Sequence, residues 1–316
     1  MRQPGFKRGD GQLKKRVNSA KNRENRTFHL MMLPAVILIF IFSYIPLSGL
    51  VIAFQKFKPA LGLFGNQKWV GLDNFRYLLE MPNTMSVLRN TVVISLWKMV
   101  LGIAVPLTVA ILINEIRSSR FKRSVQTVIF MPHFLSWVIL SGIFIQMLSP
   151  STGLINDFVK LLGFEPIFFL GSNRWFRGTM IVTDIWKGFG FGTIVYLAAI
   201  TGVDPNLYES AAVDGAGKWK QCIHITIPSI LGTVVLMSVL SMGNILNAGF
   251  DQIFNMYSPI VYETGDVLDT LVYRLGLKEA QYGVATAVGF FKSLVSTAFI
   301  GSSYYLAYRF ANYRIF

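Results

Sequence analysis

Six long apolar runs constrain what this chain can fold into more than any other feature. The runs fall at roughly 30–53, 90–113, 124–148, 178–202, 229–252 and 283–307. Crossing about 30 Å of hydrocarbon at about 1.5 Å per helical residue requires about 20 apolar residues, and each run has that length. Because lipid offers no partner to backbone N–H and C=O groups, each run is expected to be helical. The sequence therefore predicts an all-α, polytopic membrane protein with six transmembrane helices.

Positive charges predict the orientation of these spans. Residues 1–28 carry nine Lys and Arg residues against two acidic residues, Asp10 and Glu24. By the positive-inside rule this basic N-terminal arm is cytoplasmic, and residues 29–316 are expected to form the membrane domain. Alternating six spans from that start places 17 Lys and Arg residues inside, 10 outside and three within spans, so both termini are predicted to be cytoplasmic. The net charge of +14 then reflects orientation and anionic lipid, not nucleic-acid binding.

The sequence carries no pattern typical of an enzyme active site. The segment GAGKWK at 215–220 departs from the phosphate-binding loop, which would need Gly in place of Ala212 and Ser or Thr in place of Trp219. The three histidines lack metal-ligand spacing, and the single Cys222 excludes an internal disulfide. We therefore expect no catalytic residue, no metal site and no cofactor in this chain.

A polar stretch interrupts the apolar pattern between the fourth and fifth runs, at about residues 205–228. From Tyr208 it reads YESAAVDGAGKWKQCIHITIP and is rich in small residues. Two short helices, 207–213 and 216–225, are expected on either side of a turn at Asp214 and Gly215, because Gly tolerates positive φ. Pro228 would then open the next span. The residues alone leave two interpretations open: an amphipathic connector on the lipid surface, or a surface that docks another protein.

Three parts of this stretch resemble the EAA motif of permease subunits of binding-protein-dependent ABC importers. They are Glu209-Ser210-Ala211, Asp214-Gly215-Ala216 and Ile225-Thr226-Ile227-Pro228, in which Ser210 and Ile227 depart from the usual Ala and Leu. Further segments are similar to the LplB-type subgroup of carbohydrate permeases. These segments are LINE at 112–115, FKR at 121–123, MPHFLSW at 131–137, LSPSTG at 148–153 and GNILNAGF at 243–250. The resemblance covers nearly the whole chain.

The resemblance implies that the stretch is a cytoplasmic coupling helix seated in an ATPase subunit. Glu209 would then meet a cationic group of the ATPase, and Gly215 would permit the sharp turn. Close approach would be allowed by Ala211, Ala212 and Ala216. Asp214 belongs to the same motif, although it could also serve merely as a helix cap.

The resemblance also implies partners and a location. The partners would be a second homologous permease in a heterodimer, two cytoplasmic ATPase subunits that hold ATP and Mg, an extracellular solute-binding lipoprotein and an oligosaccharide substrate. The location would be the plasma membrane of a bacterial cell. In the family the external binding protein docks on outer loops, here at 69–75 and 266–278.

Polar and aromatic side chains within the runs are candidates for a substrate path. The polar candidates are Lys98, Asp184, Lys187, Asn244, Asn247, Asp251 and Lys292, and the aromatic candidates are Trp97, Trp137 and Trp186. A charge at mid-span costs about 2.5–3.5 kcal/mol on insertion scales, so such residues usually face a cavity or a partner. Asp184, Lys187 and Phe191 follow i, i+3, i+7 spacing, and Asn244, Asn247 and Asp251 repeat it, which predicts two facing polar stripes.

Structural roles remain open for the same residues. Asp184 and Lys187 could neutralise each other, the asparagines could join helices, Lys98 could extend toward the interface, and tryptophans commonly anchor spans. The predicted function is oligosaccharide import. The lysines could suit acidic sugars from plant or algal polysaccharides, or could pair with Asp184 and Asp251. The alternative function is a secondary transporter that uses Asp184 and Lys187 as an ion relay.

Overall fold

The computed structural model describes residues 26–311, and this part of the chain is mostly helical. The predicted basic arm lies outside the described residues apart from 26–28, which begin the first helix. The division between an arm and a membrane domain at residue 28 therefore stays a prediction.

The described part contains fourteen principal helices, two separate 3-10 turns at Pro59–Leu61 and Pro259–Val261, and one short hairpin. The helices are α1 (Arg26–Phe54), α2 (Asp73–Glu80), α3 (Thr84–Asn114), α4 (Ser119–Phe130), α5 (Trp137–Met147), α6 (Leu154–Leu161), α7 (Phe176–Thr201), α8 (Pro205–Val213), α9 (Lys218–Gln221), α10 (Ile227–Met242), α11 (Phe250–Met256), α12 (Tyr262–Gly265), α13 (Leu268–Tyr273) and α14 (Tyr282–Ala311). The strands are β1 (Gln55–Lys56) and β2 (Lys68–Trp69), which pair antiparallel. This hairpin is a small exception to the predicted all-α class.

The helices that could cross a membrane lie at the predicted apolar runs, but they are not six straight helices. Among the described residues, four helices are long and apolar enough to cross a membrane: Arg26–Phe54, Thr84–Asn114, Lys218–Met242 and Tyr282–Tyr305. The number rises to six if each of two bent helix pairs forms one span. Within Lys218–Met242, α9 continues through a π-helical turn, Cys222–Thr226, into α10, so Pro228 lies inside a continuous helix instead of opening a new one.

The third run is broken where the sequence predicted one straight span. α4 continues as a 3-10 turn, Met131–Phe134, and the chain then bends by 102° before α5 begins at Trp137. Pro132 has no N–H to continue the helical ladder. The side chain of Ser136 accepts a hydrogen bond from the N–H of Ile139 and so caps a new helix. The bend therefore has a local cause in the sequence.

The fifth run is also interrupted, so the predicted polar stripe on it is wrong. α10 ends at Met242, residues 243–249 form turns, and Gly249 adopts φ +91° before α11 begins. Asn244 and Asn247 lie in this connection, whereas Asp251 lies on α11, so the three do not share one helical face. Glycines at both ends of the connection allow the chain to leave helical geometry.

The centre of the fold is the packing of α3 against α7, which positions the polar groups described below. Buried apolar side chains between these helices and α11 include Ile94, Met180 and Ile253. Gly190 of α7 allows α4 to approach closely, because a Cβ there would overlap the carbonyl oxygen of Ile129. Glycines commonly permit such close packing between membrane helices.

Candidate functional site

The loop at 205–228 forms a compact turn between two helices. α8 ends at Val213, Gly215 adopts φ +77°, and α9 begins at Lys218, two residues later than expected. The N–H of Ala216 donates to the carbonyl of Ala211 across the turn, at 2.8 Å. Gly215 therefore occupies the left-handed region that L residues avoid, as the turn prediction required.

Asp214 does not cap the start of either helix. Asp204 is the N-cap of α8, where its side chain accepts a hydrogen bond from the N–H of Asn206 at 3.0 Å. Gly217 occupies the N-cap position of α9. Asp214 instead occupies the C-cap position of α8, so it lies at a helix end without serving as an N-cap, and it is exposed on the surface of the turn.

Three side-chain contacts hold the loop in place, two within it and one to the end of α3. Tyr208 and Thr226 share a hydrogen bond between their hydroxyls at 3.0 Å, and Gln221 donates to the carbonyl of Ala216 at 3.0 Å. Lys218 pairs with Glu115, at the end of α3, over 3.1 Å. The loop is therefore linked to α3 by an exposed ion pair, and its two arms are joined to each other by the bond between Tyr208 and Thr226.

The outer surface of the loop presents polar and apolar groups together. Of the six residues predicted to contact a partner, Glu209, Ala212, Asp214 and Gly215 are exposed, and Ala211 and Ala216 are half-buried. Sequence reasoning missed Val213 and Trp219, whose exposed fractions are 88% and 77%. Large apolar side chains within an otherwise polar loop were the available signal, since exposed aromatic groups commonly anchor protein interfaces.

Four of the predicted substrate-path residues line one polar cavity of about 290 Å³. They are Lys98 of α3, Asp184 of α7, and Asn244 and Asn247 of the connection after α10, together with Ser95, Met99, Ser241 and Gly249. The structure therefore brings α3, α7 and the 243–249 connection to one site, although not through facing stripes. Carboxylate, amide and hydroxyl groups can bond the hydroxyls of a sugar.

Lys98 is fully engaged by this chain. Its side chain is 9% exposed, and its ammonium lies 3.3 Å from Asp184, 2.8 Å from the carbonyl of Ala248 and 2.5 Å from Oε1 of Gln252. A lysine ammonium has three N–H donors, so these acceptors occupy all of them. Gln252, which sequence reasoning missed, in turn donates to the hydroxyl of Thr183 at 2.7 Å.

The polar cavity still offers groups to a ligand. The side-chain amide of Asn244 is exposed and has no hydrogen bond to another described residue, and the buried hydroxyl of Ser95 likewise lacks a partner within the described chain. Asn247 accepts a hydrogen bond from the N–H of Gly249 at 3.2 Å through its side-chain oxygen, which leaves its NH₂ group free. The cavity therefore offers free hydrogen-bonding groups to a hydroxyl-rich ligand.

The other candidates lie apart from the polar cavity. Lys187 donates to the carbonyl of His133 at 3.0 Å and lies 5.6 Å from the ring centre of Trp137, so the proposed neutralisation of Lys187 by Asp184 is wrong. Lys292 pairs with Asp269 over 2.5 Å and not with Asp251.

The remaining candidates are two tryptophans and one aspartate. Trp97 is exposed on α3, Trp186 lines a different, apolar cavity, and Asp251 is exposed on α11. None of these three is among the residues that line the polar cavity.

Segment 250–278 is fixed to the spans by buried polar contacts. Asn90 of α3 donates to the carbonyls of Glu263 and Asp266 at 3.0 Å each, and Arg177 of α7 donates to the side-chain oxygen of Asn90 at 2.6 Å. Asp266 also pairs with Arg274 over 2.5 Å. Burial lowers the pKa of Arg274, but the hydrogen bond and charge of Asp266 outweigh burial, so the net shift of this pKa is upward.

Comparisons with known proteins agree with this architecture. Residues 100–312 match the family described as binding-protein-dependent transport system inner membrane component. The chain is 40% identical over 293 residues to the polygalacturonan/rhamnogalacturonan transport system permease protein YteP of Bacillus subtilis (strain 168), which covers 93% of this chain and 91% of the relative. Protein LplB of the same organism is 37% identical over 288 residues, covering 91% of this chain and 90% of that protein.

Solved structures give the same result. The crystal structure of a bacterial ABC transporter involved in the import of the acidic polysaccharide alginate contains a chain that is 37% identical, with a TM-score of 0.84 over 93% of this chain and 99% of that chain. The bacterial alginate ABC transporter in complex with an alginate pentasaccharide-bound periplasmic protein contains a chain with 37% identity and a TM-score of 0.83, covering 92% and 96% of the two chains.

The fold and its two sites define a helical membrane subunit with a projecting loop and a polar cavity between helices. The chain belongs to the family of inner membrane components of binding-protein-dependent transport systems.

Proposed function

We propose that this chain is the permease subunit of an ATP-driven importer that moves oligosaccharides, including acidic ones, across the bacterial plasma membrane. The observation that carries the proposal is the similarity over nearly the whole chain to permeases of polysaccharide import systems. A polar cavity lined by Asn244, Asn247 and Asp184 supports a hydroxyl-rich substrate. The chain itself would have no catalytic activity.

Six spans with both termini in the cytoplasm are part of this proposal. The distribution of Lys and Arg supports that orientation. The bent third run, 119–147, would count as one span, and α7 would form the fourth span before the chain turns into α8. The loop at 205–228 then faces the cytoplasm. Segment 250–278 faces outward, where a substrate-loaded binding protein would dock.

Coupling would use the projecting loop. An ATPase subunit would receive Glu209, Asp214 and the exposed apolar side chains of Val213 and Trp219, while the small residues allow close approach. ATP and Mg would be held by two such ATPase subunits, and a second homologous permease would complete the membrane pore. Support for transmission of the motion comes from the ion pair that links the loop to α3 and from the bond between the two arms of the loop.

Acidic substrates would depend on Lys187 more than on the other two lysines. Lys98 and Lys292 are each paired with a carboxylate of this chain. Lys187 contacts a carbonyl and an aromatic ring, so its positive charge is not compensated by a carboxylate among the described residues. The same pairing gives no support to an ion relay through Asp184 and Lys187, because Asp184 is engaged by Lys98.

Reconstituted transport tests the proposed function. Proteoliposomes that contain this chain, its partner permease and the ATPase subunits are expected to import an oligouronate only with ATP inside and the loaded binding protein outside. Liposomes with this chain alone are the control and should show no import. Import that follows a proton gradient without ATP would overturn the proposal.

Replacement of Asn244 by alanine is expected to weaken substrate use without harming the fold. Removal of one hydrogen bond to a sugar hydroxyl costs about 0.5–1.5 kcal/mol. At about 1.4 kcal/mol per factor of ten, this raises the KM for uptake roughly two- to tenfold.

Asn255→Ala is the matched control for this variant. The amide of Asn255 donates to the carbonyl of Asp251 on its own helix, and Asn255 is not among the residues that line the cavity. A KM in Asn244→Ala equal to that of Asn255→Ala would contradict the assignment of the cavity to substrate.

A further inference from the structure

A second, apolar cavity of about 530 Å³ lies between α5, α6 and α7, and the proposed function leaves it unused. Its lining includes Phe144 and Met147 of α5, Ile155 of α6, and Val182 and Trp186 of α7. A volume of this size is within the range of about 300–1,000 Å³ that is usual for cavities that hold small molecules.

The two threonine hydroxyls in the wall of the apolar cavity are already hydrogen-bonded within the protein. The hydroxyl of Thr179 donates to the carbonyl of Trp175 at 3.0 Å, and that of Thr183 donates to the carbonyl of Thr179 at 2.7 Å. The oxygen of Thr183 also accepts a hydrogen bond from Gln252 at 2.7 Å. A sugar would lose hydrogen bonds to water here without regaining them, which costs free energy, whereas a hydrocarbon chain would lose none.

The apolar cavity lies on the side of α7 that is opposite the polar face. Gly178, Val182 and Trp186 follow i, i+4, i+8 spacing and form one stripe of α7. Asp184, which lines the polar cavity, belongs to the opposite face, because it is two residues from both Val182 and Trp186 and two residues correspond to a rotation of about 200° around a helix. The apolar cavity is therefore separated from the polar cavity by the body of α7.

The neighbouring helix α6 has the pattern of a helix that lies in a membrane interface. Leu154, Phe158 and Leu161 form a stripe at i, i+4, i+7, with exposed fractions of 63%, 67% and 82%. Asp157 and Lys160 lie on the flank of this stripe and pair with each other at 3.4 Å. An amphipathic helix of this kind lowers its free energy by placing the apolar stripe among lipid chains.

Asn156 fixes the orientation of α6. It is fully buried, and its NH₂ group donates to the carbonyls of Leu148, Ser149 and Ile167 at 3.0–3.2 Å. Its side-chain oxygen accepts a hydrogen bond from the N–H of Ile167 at 2.7 Å. The apolar stripe of α6 is thus held outward by a satisfied network, beside α5, whose Ile143 is exposed and lines the apolar cavity.

We propose that the apolar cavity binds an acyl chain of a membrane phospholipid and that α6 lies in the adjoining bilayer interface. The lipid would fill space between the bent third span and α7, on the side away from the substrate. This site goes beyond the proposed transport function and does not depend on which solute is moved.

Photolabelling tests the lipid site. The full-length protein would be placed in nanodiscs of phosphatidylcholine and phosphatidylglycerol that contain a phospholipid with a diazirine near the end of one acyl chain. Labelled peptides are expected to be enriched in residues 140–148 and 175–186 relative to the exposed apolar surface of α1. Uniform labelling of all lipid-facing helices would overturn the proposal.

Two glycine variants make the test specific. A Cβ at Gly178, in the cavity wall, and one at Gly142, on α5 outside the cavity lining, would each meet no atom within 4 Å. Gly178→Leu would fill part of the cavity and is expected to lower labelling there about tenfold, because the bound chain and the new side chain cannot share the space. Gly142→Leu adds the same side chain to an exposed position and should leave labelling unchanged.

A further pair of measurements keeps the result decisive. If Gly178→Leu is not produced in folded form, Val182→Phe serves as a second cavity-filling variant with the same expected result.

A side chain of the second permease is the competing occupant of the apolar cavity. In a Cys222→Ser background, efficient disulfide cross-linking of Val182→Cys to cysteines of the partner permease in the assembled transporter would overturn the lipid assignment.

Discussion

Replacement of Gly215 by valine is expected to abolish coupled transport while the chain still inserts into the membrane. Gly215 adopts φ +77° at the tip of the projecting loop. A left-handed conformation costs an L residue about 1–2 kcal/mol, and β-branched residues tolerate it least. Because space is not limiting at this position, the obstacle is the backbone alone. The loop is expected to rearrange and to lose its fit to the ATPase.

The measurement is uptake together with the ATPase rate in reconstituted transporter. In Gly215→Val we expect uptake to fall at least about tenfold and stimulation of the ATPase by the loaded binding protein to disappear. The cost of about 1–2 kcal/mol for valine in the left-handed conformation alone corresponds to roughly one factor of ten in the population of the native turn. Gly217→Val is the control: Gly217 has φ −68° and ψ 166°, and a Cβ there would meet nothing within 4 Å. Full coupling in Gly215→Val, or equal loss in both variants, would contradict the role of the turn.

Features that depend on local sequence could be predicted. The apolar runs gave approximate positions for the spans because the thickness of the bilayer sets their length. The turn at Gly215 was predicted because few residues other than Gly adopt positive φ. The docking role of the small residues around it, including Ala211 and Ala216, stays a prediction.

Features that depend on backbone geometry within apolar sequence could not be predicted. Residues 243–249 contain Ile245, Leu246 and Ala248, so hydropathy continues across the point at which α10 ends. A run of this kind is equally compatible with an unbroken helix. The facing-stripe hypothesis failed for this reason, although Asn244 and Asn247 still reach the polar cavity from a turn.

Long-range pairing was also hidden from the sequence. Three lysines and several carboxylates within the spans permitted many combinations. Spacing favoured Asp184 with Lys187, because they are three residues apart on one helix. The structure instead pairs Asp184 with Lys98, which approaches from α3. Helix packing, which no local pattern specifies, decides this pairing.

Replacement of Lys98 by methionine is expected to destabilise the protein more than any substitution on its surface. The methionine would leave Asp184, the carbonyl of Ala248 and the amide oxygen of Gln252 without their shared donor. Removal of one member of a fully buried ion pair costs about 3–5 kcal/mol. The carboxylate of Asp184 is 32% exposed, so the cost here is expected to be smaller, and the acceptors of Ala248 and Gln252 that lose their donor add to it. The contact with Ala248 also holds the turn before Gly249, so the polar cavity should lose its shape.

The measurement is thermal stability and folded yield in detergent. It is compared with a double variant that removes both charges and with a control variant at an exposed ion pair. Lys98→Met combined with Asp184→Leu should recover part of the loss, since replacing both partners of a buried pair by apolar residues removes the unpaired charge. Arg76→Met breaks the exposed pair with Glu80 on α2 and should matter little, because exposed i, i+4 pairs contribute about 0.3–0.5 kcal/mol. If Lys98→Met were as stable as Arg76→Met, the contacts of the Lys98 ammonium would not be what holds α3, α7 and the 243–249 connection together. In that case Lys98 would be free to bind substrate. The proposal that acidic substrates depend on Lys187 more than on Lys98 would then lose its basis.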